Sequence, residues 1–175
     1  MVWYESAELG ELGPIVVAAS EQGVCMLTLG DSEDSLATLK WRLGFDPEPV
    51  SESTPGDARA HIEQAITQMR EYEAGTRTVF DVALDARGTE FQKAVWDALR
   101  TVPHGERSTY AKIATAVGRA NGARAVGSAV GSNPICVIIP CHRIIGSDGS
   151  LTGYAFGLAV KEKLLSLEAA APAAV

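Results

Sequence analysis

Residues 108–130, STYAKIATAVGRANGARAVGSAV, contain two short segments of helical character separated by a glycine-containing turn. Ser108 or Thr109 can open the first segment, which runs to Val117 and is closed by Gly118. Arg119-Ala-Asn-Gly122 supplies the turn, and the second segment spans 123–130. Two short helices joined in this way predict a helix-turn-helix. The second helix is short of bulk, with Ala123, Ala125, Gly127, Ser128 and Ala129 surrounding Arg124. Small side chains let a helix backbone come close to something, either a neighbouring helix or an external surface.

Working outward toward the N-terminus, Thr89 can cap a helix whose third residue, Gln92, completes a capping box. Phe91, Val95, Ala98, Leu99 and Val102 form its apolar stripe, and Pro103 ends it. Toward the C-terminus, residues 135–139 (ICVII) lie between Asn133-Pro134 and Pro140 and read as a buried strand. Cys141-His142-Arg143 follow at once. A free thiol with a pKa of about 8.5 is only a few per cent ionised at neutral pH, and neighbouring cations raise that fraction. An inert buried thiol is the other reading. A glycine-rich loop, Gly146-Ser-Asp-Gly149 and Thr152-Gly-Tyr154, precedes a last helix over about 157–169, where Leu158, Lys161, Leu165 and Glu168 share one stripe. Charges in line with an apolar face need polar partners. His142 is the candidate for Glu168, which makes a Cys-His-Glu relay of the kind that activates a nucleophile. A frayed helix with Glu168 in solvent is the alternative.

The first half reads as a separate domain. Residues 14–19 and 24–29 predict a β-hairpin, and Leu36, Leu39 and Leu43 predict a helix after an acidic start. Residues 44–56 form a proline-containing loop. Ile62, Ala65, Ile66, Met69 and Tyr72 mark an amphipathic helix from Asp57 to Gly75, and 78–84 alternate as a half-buried strand. The boundary at 85–88 divides the chain into domains 1–87 and 88–175.

The chain has 175 residues, 46% hydrophobic and 21% charged, a composition that suits one or two small domains. There is no uncharged apolar run of about 18 residues, and no basic, apolar leader follows Met1. A cytoplasmic protein without membrane association is expected. Cys25, Cys136 and Cys141 form no CxxC and no zinc-finger spacing, so reduced thiols are expected. Cys25, inside an apolar strand, reads as core. The net charge of −7 divides into −10 over residues 1–87 and +3 over 88–175. Only the second half favours a polyanion, and only mildly.

Pro140-Cys-His-Arg143, followed by IIGSDG and Leu151-Thr-Gly-Tyr154, resembles the O6-alkylguanine-DNA alkyltransferases, also called methylated-DNA-protein-cysteine methyltransferases. The ordered series also includes Phe91-Gln-x-x-Val-Trp96, Pro103-x-Gly-Glu106, Ser108-x-Tyr110, Ala123-Arg-Ala-Val-Gly127, Asn133-Pro134 and Lys161-Glu-Lys-Leu-Leu165. It is dense over 89–168 and matches the first half only in general layout. The resemblance implies an α/β protein, with an N-terminal ribonuclease-H-like α/β domain followed by a mainly helical winged helix-turn-helix domain.

The same resemblance implies direct-reversal DNA repair, an irreversible one-turnover transfer of an alkyl (methyl) group from O6-alkylguanine in double-stranded DNA to Cys141. His142 would activate Cys141 through a water, Glu168 would hold His142, and Asn133 would brace the turn that presents the thiol. Tyr110 would donate a proton to the departing base, and Lys161 would support the site electrostatically. Since the target atom lies inside a duplex, the nucleotide must be flipped. Arg124 would fill the vacated stack, while Ala125, Ser128 and Tyr110 approach the minor groove with weak sequence preference. Pocket contacts are implied for Val130, Cys136, the Ile144 carbonyl, Tyr154, the Ala155 amide and Phe156.

Neither metal nor cofactor is expected, and the protein is expected to act as a monomer. The sequence departs from the family pattern at three pocket positions. Ala155 stands where some relatives carry Ser, and Cys136 where Ala or Pro is frequent. Phe156 replaces a frequent Gly and is expected to exclude a benzyl group from the pocket mouth. Two rival readings stand beside this one, a Cys-His-Glu thiol hydrolase and a non-catalytic helix-turn-helix DNA-binding protein.

Overall fold

The computed structural model describes residues 1–30 and 32–170. Asp31, in the acidic start of the first predicted helix, and 171–175, at the end of the expected second domain, lie outside the described residues. The chain forms two compact units, Met1–Ala86 and Arg87–Val175.

The first unit contains β1 (Trp3–Glu8), β2 (Pro14–Ser20), β3 (Gly23–Leu29), α1 (Ser32–Leu43), β4 (Glu48–Pro49) and α2 (Gly56–Glu73). The sheet order is β3-β2-β1-β4, antiparallel except for the β1/β4 pair. The predicted hairpin is β2/β3. Strand β2 is buried from Ile15 to Ser20, so both of its faces need cover. Leu39 of α1 packs with Val16, Ala18 and Met26. Helix α2 packs on β1, β2 and β3, and its Ile62, Ala65, Met69 and Tyr72 are wholly buried. Each large apolar side chain so placed contributes about 1.5–3 kcal/mol.

Two features of this unit differ from the sequence expectation. Strand β1 has mostly exposed or half-exposed residues, and its extended state comes from the ladder with β2, in register from Trp3↔Ala19 to Glu8↔Pro14. Residues 78–84 do not form a strand. They meet β3 at one bridge, Val24↔Leu84, with Val24 N donating to Ala83 O (2.8 Å) and Asp85 N to Val24 O (2.7 Å). Side chains of α2 take the place of a ladder partner: Asp81 N donates to Gln68 Oε1 (3.1 Å), and Gln68 and Gln64 both donate to the Asp81 carboxylate. Gly23 permits the single bridge, because a Cβ there would lie 2.7 Å from the Ala83 carbonyl.

The second unit contains α3 (Glu90–Arg100), β5 (Ser108–Thr109), α4 (Tyr110–Ala116), α5 (Ala123–Gly131), a single 3-10 turn (Cys141–Arg143), β6 (Ile144–Ile145) and α6 (Leu158–Ala170). Thr89 and Gln92 form the predicted capping box at the start of α3. Trp96 is buried and donates from Nε1 to the Ala129 carbonyl at 2.9 Å, and Gln92 Nε2 donates to Ser132 Oγ at 3.0 Å. These bonds tie α3 to the C-terminal end of α5. Thr109 caps α4 by accepting from Lys112 N, and α4 and α5 with the turn between them make the expected helix-turn-helix. Val126, Ala129 and Val130 of α5 face inward, whereas Arg124, Ala125 and Ser128 are exposed.

Residues 135–139 are buried as expected, but they are not a strand. Ile138 N donates to Cys136 O (2.9 Å) across Val137, whose φ is +71°. That is a γ-turn in the left-handed region, a strained arrangement for a β-branched residue. Cys141 N likewise donates to Ile139 O (2.8 Å) across Pro140, at φ −82° and ψ 63°, an inverse γ-turn. An apolar run gives the same pattern whether it extends or folds back while buried.

Gly88→Ala would place a Cβ 2.5 Å from the Trp96 ring. The ring is held on its other edge by Ala129, so overpacking should cost about 1–3 kcal/mol. A lowered urea midpoint with an unchanged denaturant slope is expected, and an unchanged midpoint would show that the ring has room to move.

Candidate active site

Asn133 holds the backbone that carries the thiol. Its side chain accepts from Ile135 N (3.0 Å) and donates to Ile139 O (2.8 Å), closing the loop around the strained Val137. Strain of this kind costs on the order of 1–3 kcal/mol and persists only where surrounding bonds over-determine it. The 3-10 turn that follows starts with Cys141, and all three of its residues are buried.

Behind Cys141, the Glu168 carboxylate gathers donors from two segments, the 3-10 turn and the loop after α3. His142 Nε2 lies 2.6 Å from Oε1, Arg143 Nε and Nη2 donate at 3.0 and 2.9 Å, and Gly105 N donates to Oε2 at 3.3 Å. Arg143 also donates from Nη1 to the Val102 carbonyl at 2.6 Å. Burial would raise the Glu168 pKa, but the bonds from His142 and Arg143 outweigh it and hold the carboxyl far below its ordinary value. Burial lowers the His142 pKa, with Glu168 opposing and the Arg143 and Lys161 charges assisting the shift. A neutral imidazole that donates from Nε2 leaves Nδ1 as a lone-pair acceptor. Nδ1 is buried and has no hydrogen-bond partner among the described residues.

Lys161 is wholly buried. Its Nζ donates to the carbonyls of Ile144 (2.5 Å), Thr152 (3.1 Å) and Gly153 (3.4 Å), which fastens α6 to β6 and to the glycine-rich loop. Burial lowers its pKa, and the Cys141 charge works the other way. The Cys141 thiol is itself held below its ordinary value. A hydrogen bond from the Cys136 side chain is the largest cause, burial opposes it, and the Asn133 side chain and the Lys161 charge add to it.

Cys141 opens on a cavity of about 220 Å³ lined also by Tyr110, Gly127, Val130, Gly131, Asn133, Cys136, Gly153, Tyr154 and Ala155. A nucleophile with a lowered pKa, a neutral histidine behind it and a base-sized cavity in front can accept a group from a planar ligand. The family model for the 6-O-methylguanine DNA methyltransferase DNA-binding domain matches residues 90–170, and that for the ribonuclease-like domain of the same proteins matches residues 4–86. The chain belongs to the 6-O-methylguanine DNA methyltransferase family.

Within this family, the chain is 53% identical over 143 residues to the methylated-DNA–protein-cysteine methyltransferase of Mycolicibacterium paratuberculosis, covering 82% of this chain and 86% of that protein. It is 38% identical over 161 residues to the bifunctional transcriptional activator/DNA repair enzyme Ada of Escherichia coli. That match covers 91% of this chain but spans only 43% of Ada. The crystal structure of Mycobacterium tuberculosis OGT in complex with DNA superposes with a TM-score of 0.79 at 39% identity, covering 98% of this chain and 96% of that one.

Of the residues singled out from the sequence of this methyltransferase-family chain, Cys141, Asn133, Tyr110, Val130, Cys136, Tyr154 and Ala155 meet at the cavity, with His142, Glu168 and Lys161 behind it. Arg124, Ala125 and Ser128 lie on the exposed face of α5. Ile144 does not line the cavity, and its carbonyl is taken by Lys161. Phe156 does not line it either. Its ring packs edge-on against Tyr154 with centroids 5.5 Å apart, so the steric exclusion expected of it at the pocket mouth has no support in the lining. The sequence reading missed the role of Arg143 as the clamp on Glu168. The available signal was a second cation beside His142 in a run too apolar to leave it in solvent.

His142 and Glu168 both have folded-state pKa values below their unfolded ones, and so does His104, which burial lowers. The unfolded chain therefore binds more protons on acidification. Stability present above the unfolded histidine value of about 6.5 should fall as pH drops through it toward the lower folded values. Urea midpoints between about pH 7 and 5 should show this descent, and it should be shallower in His142→Asn. Glu168→Gln leaves Arg143 buried without its counter-charge, which should cost about 3–5 kcal/mol in the same assay. A midpoint unchanged in that variant would mean that the carboxylate does not hold the site together.

Proposed function

We propose that this protein is a methylated-DNA–protein-cysteine methyltransferase that repairs O6-alkylguanine in double-stranded DNA by taking the alkyl group onto Cys141. The observation that carries the reading is a buried, acidified thiol on a base-sized cavity next to the helix-turn-helix, with a buried His–Glu–Arg cluster behind it. His142 Nδ1, an acceptor without a hydrogen-bond partner among the described residues, takes the Cys141 proton through a water. The thiolate attacks the alkyl carbon in line, a C–S bond forms, the C–O6 bond breaks, and its electron pair goes to the base. Tyr110, on the cavity wall, gives up its hydrogen bond to the Thr152 carbonyl and supplies a proton to that base, whose neutral form is the better leaving group. Lys161 places a positive charge against the thiolate within the low-dielectric interior.

Access to O6 requires a flipped nucleotide. Arg124 stands on the exposed face of α5 and enters the gap, while Ala125 and Ser128 keep that face slim enough for the minor groove. Binding is mainly to phosphate, reads little sequence, and weakens with salt. The protein acts as a monomer in the cytoplasm. Among the described residues no helix is long and apolar enough to cross a membrane.

Incubation with O6-methylguanine duplex should raise the intact mass by one methyl per molecule, and peptide mapping should place it on Cys141. Continued turnover would instead indicate a thiol hydrolase. DNA binding with no mass change in the parent protein would indicate a non-catalytic DNA-binding protein.

Arg124→Ala should slow repair of duplex DNA by on the order of 10- to 100-fold, or about 1.4–2.7 kcal/mol, a part of the cost of base extrusion. Reaction with the free modified base should change little. Equal losses on both substrates would move Arg124 from the flipping step to folding.

A further inference from the structure

Two thiols face one cavity. Cys136 and Cys141 both line it, neither is in a disulfide, and they are only 4% and 6% exposed. The γ-turn at Val137 and the inverse γ-turn at Pro140 fold the chain back between them, and Cys136 and Ile139 form an isolated bridge. Cys136 Sγ lies 3.8 Å from the Asn133 carbonyl, a weak sulfur hydrogen bond, and on the same cavity wall its side chain is the largest of the causes that hold the Cys141 pKa down. A thiol has one proton to donate, so it cannot serve both acceptors at once. Hydrogen bonds to an ionised group are roughly twice as strong as neutral ones. The ionisation of Cys141 therefore decides where that proton points.

The charged and titratable groups around Cys141 are Cys136 on the preceding turn, Lys161 on α6, Tyr110 on α4, Tyr154 on the glycine-rich loop, and the His142–Glu168–Arg143 cluster behind it. Several of these are committed elsewhere. The three Lys161 bonds go to carbonyls, which leaves its charge but not a hydrogen bond for the thiolate. The Tyr110 hydroxyl donates to the Thr152 carbonyl at 3.1 Å. Arg143 is bound to Glu168 and Val102, and His142 offers an acceptor. Asn133 spends one amide hydrogen on Ile139, and its side chain has the second for Cys141.

We propose that Cys136 is a positioning residue for alkyl acceptance: its S–H turns from the Asn133 carbonyl to Cys141 Sγ when Cys141 loses its proton, and so holds the thiolate toward the cavity. This deepens the proposed function and rests on reading Cys141 as the acceptor. After transfer, the thioether sulfur is a poor acceptor, and the Cys136 proton returns to the carbonyl. The same thiol thus serves as a local indicator of whether the protein is spent.

The test follows iodoacetamide alkylation of Cys141 by peptide mass from about pH 5 to 9, in full-length protein without DNA. Cys136→Ala should move the midpoint up by roughly half to one pH unit, the scale of one weak bond to a charged group. Cys136→Ser keeps a donor and should move it by less than half as much. Coincident parent and alanine curves would overturn the proposal. Equal displacement by alanine and serine would overturn it too, because volume and not donation would then be responsible.

If the alanine variant does not fold, the parent decides by difference infrared spectroscopy. The Cys136 S–H stretch, assigned by its loss in Cys136→Ser, should move to lower frequency as Cys141 ionises and return once Cys141 is alkylated. A band that stays fixed refutes the assignment. Since iodoacetamide needs no DNA, a parent protein that shows this response but takes no methyl from duplex DNA would end the repair reading and leave the role of Cys136 intact.

Discussion

The second unit is organised around one carboxylate. Glu168, in the last turn of α6, accepts from His142, Arg143 and Gly105, and so joins the last helix to the 3-10 turn that carries the nucleophile and to the loop after α3. A lone buried carboxylate is among the most costly groups a protein can enclose. Here the Arg143 guanidinium supplies a full counter-charge in bidentate geometry, so Glu168 can be ionised and His142 neutral at once. If His142 alone faced the carboxylate, the imidazole would be drawn toward its protonated form and would lose the lone pair that the reaction needs. Arg143 is thus part of the acid–base chemistry although it touches no reacting atom.

The second constraint is local strain. The chain places two thiols on one cavity by passing through two γ-turns within six residues, one of them centred on a valine at positive φ. Nothing in the valine favours that conformation. Asn133 imposes it by binding the amide of Ile135 and the carbonyl of Ile139 across the turn. Such a loop holds the acceptor in a fixed direction, and an extended strand would have sent alternate side chains to opposite faces.

Helix α5 carries two jobs on two faces. Val126, Ala129 and Val130 pack inward, with the Ala129 carbonyl anchored by Trp96 and with Gly127, Val130 and Gly131 closing one side of the cavity. The outward face presents Arg124 between small residues. The small side chains noticed in the sequence therefore satisfy both readings offered for them, close packing within the unit and an open outer surface. In the proposed function, one helix separates the DNA from the reacting pocket by little more than its own backbone.

Much of this was legible in the sequence because it depends on neighbours along the chain. The α3 capping box needs only Thr89 and Gln92, the helix-turn-helix only a glycine turn between two periodic segments, and the stripe of Lys161 and Glu168 only a 3.6-residue period. The motif around Cys141 likewise named its family without a structure. The tertiary structure decided what depends on partners distant in sequence. Strand β1 exists because β2 lies beside it, and residues 78–84 fail to become a strand because Gln64 and Gln68 of α2 bind Asp81. Residues 135–139 fold into turns because of Asn133, and Phe156 packs edge-on against Tyr154 and does not line the cavity. An apolar run states only that it will be buried, since the hydrophobic effect has no direction. Whether it extends or turns is settled by the hydrogen bonds that its buried backbone must still make.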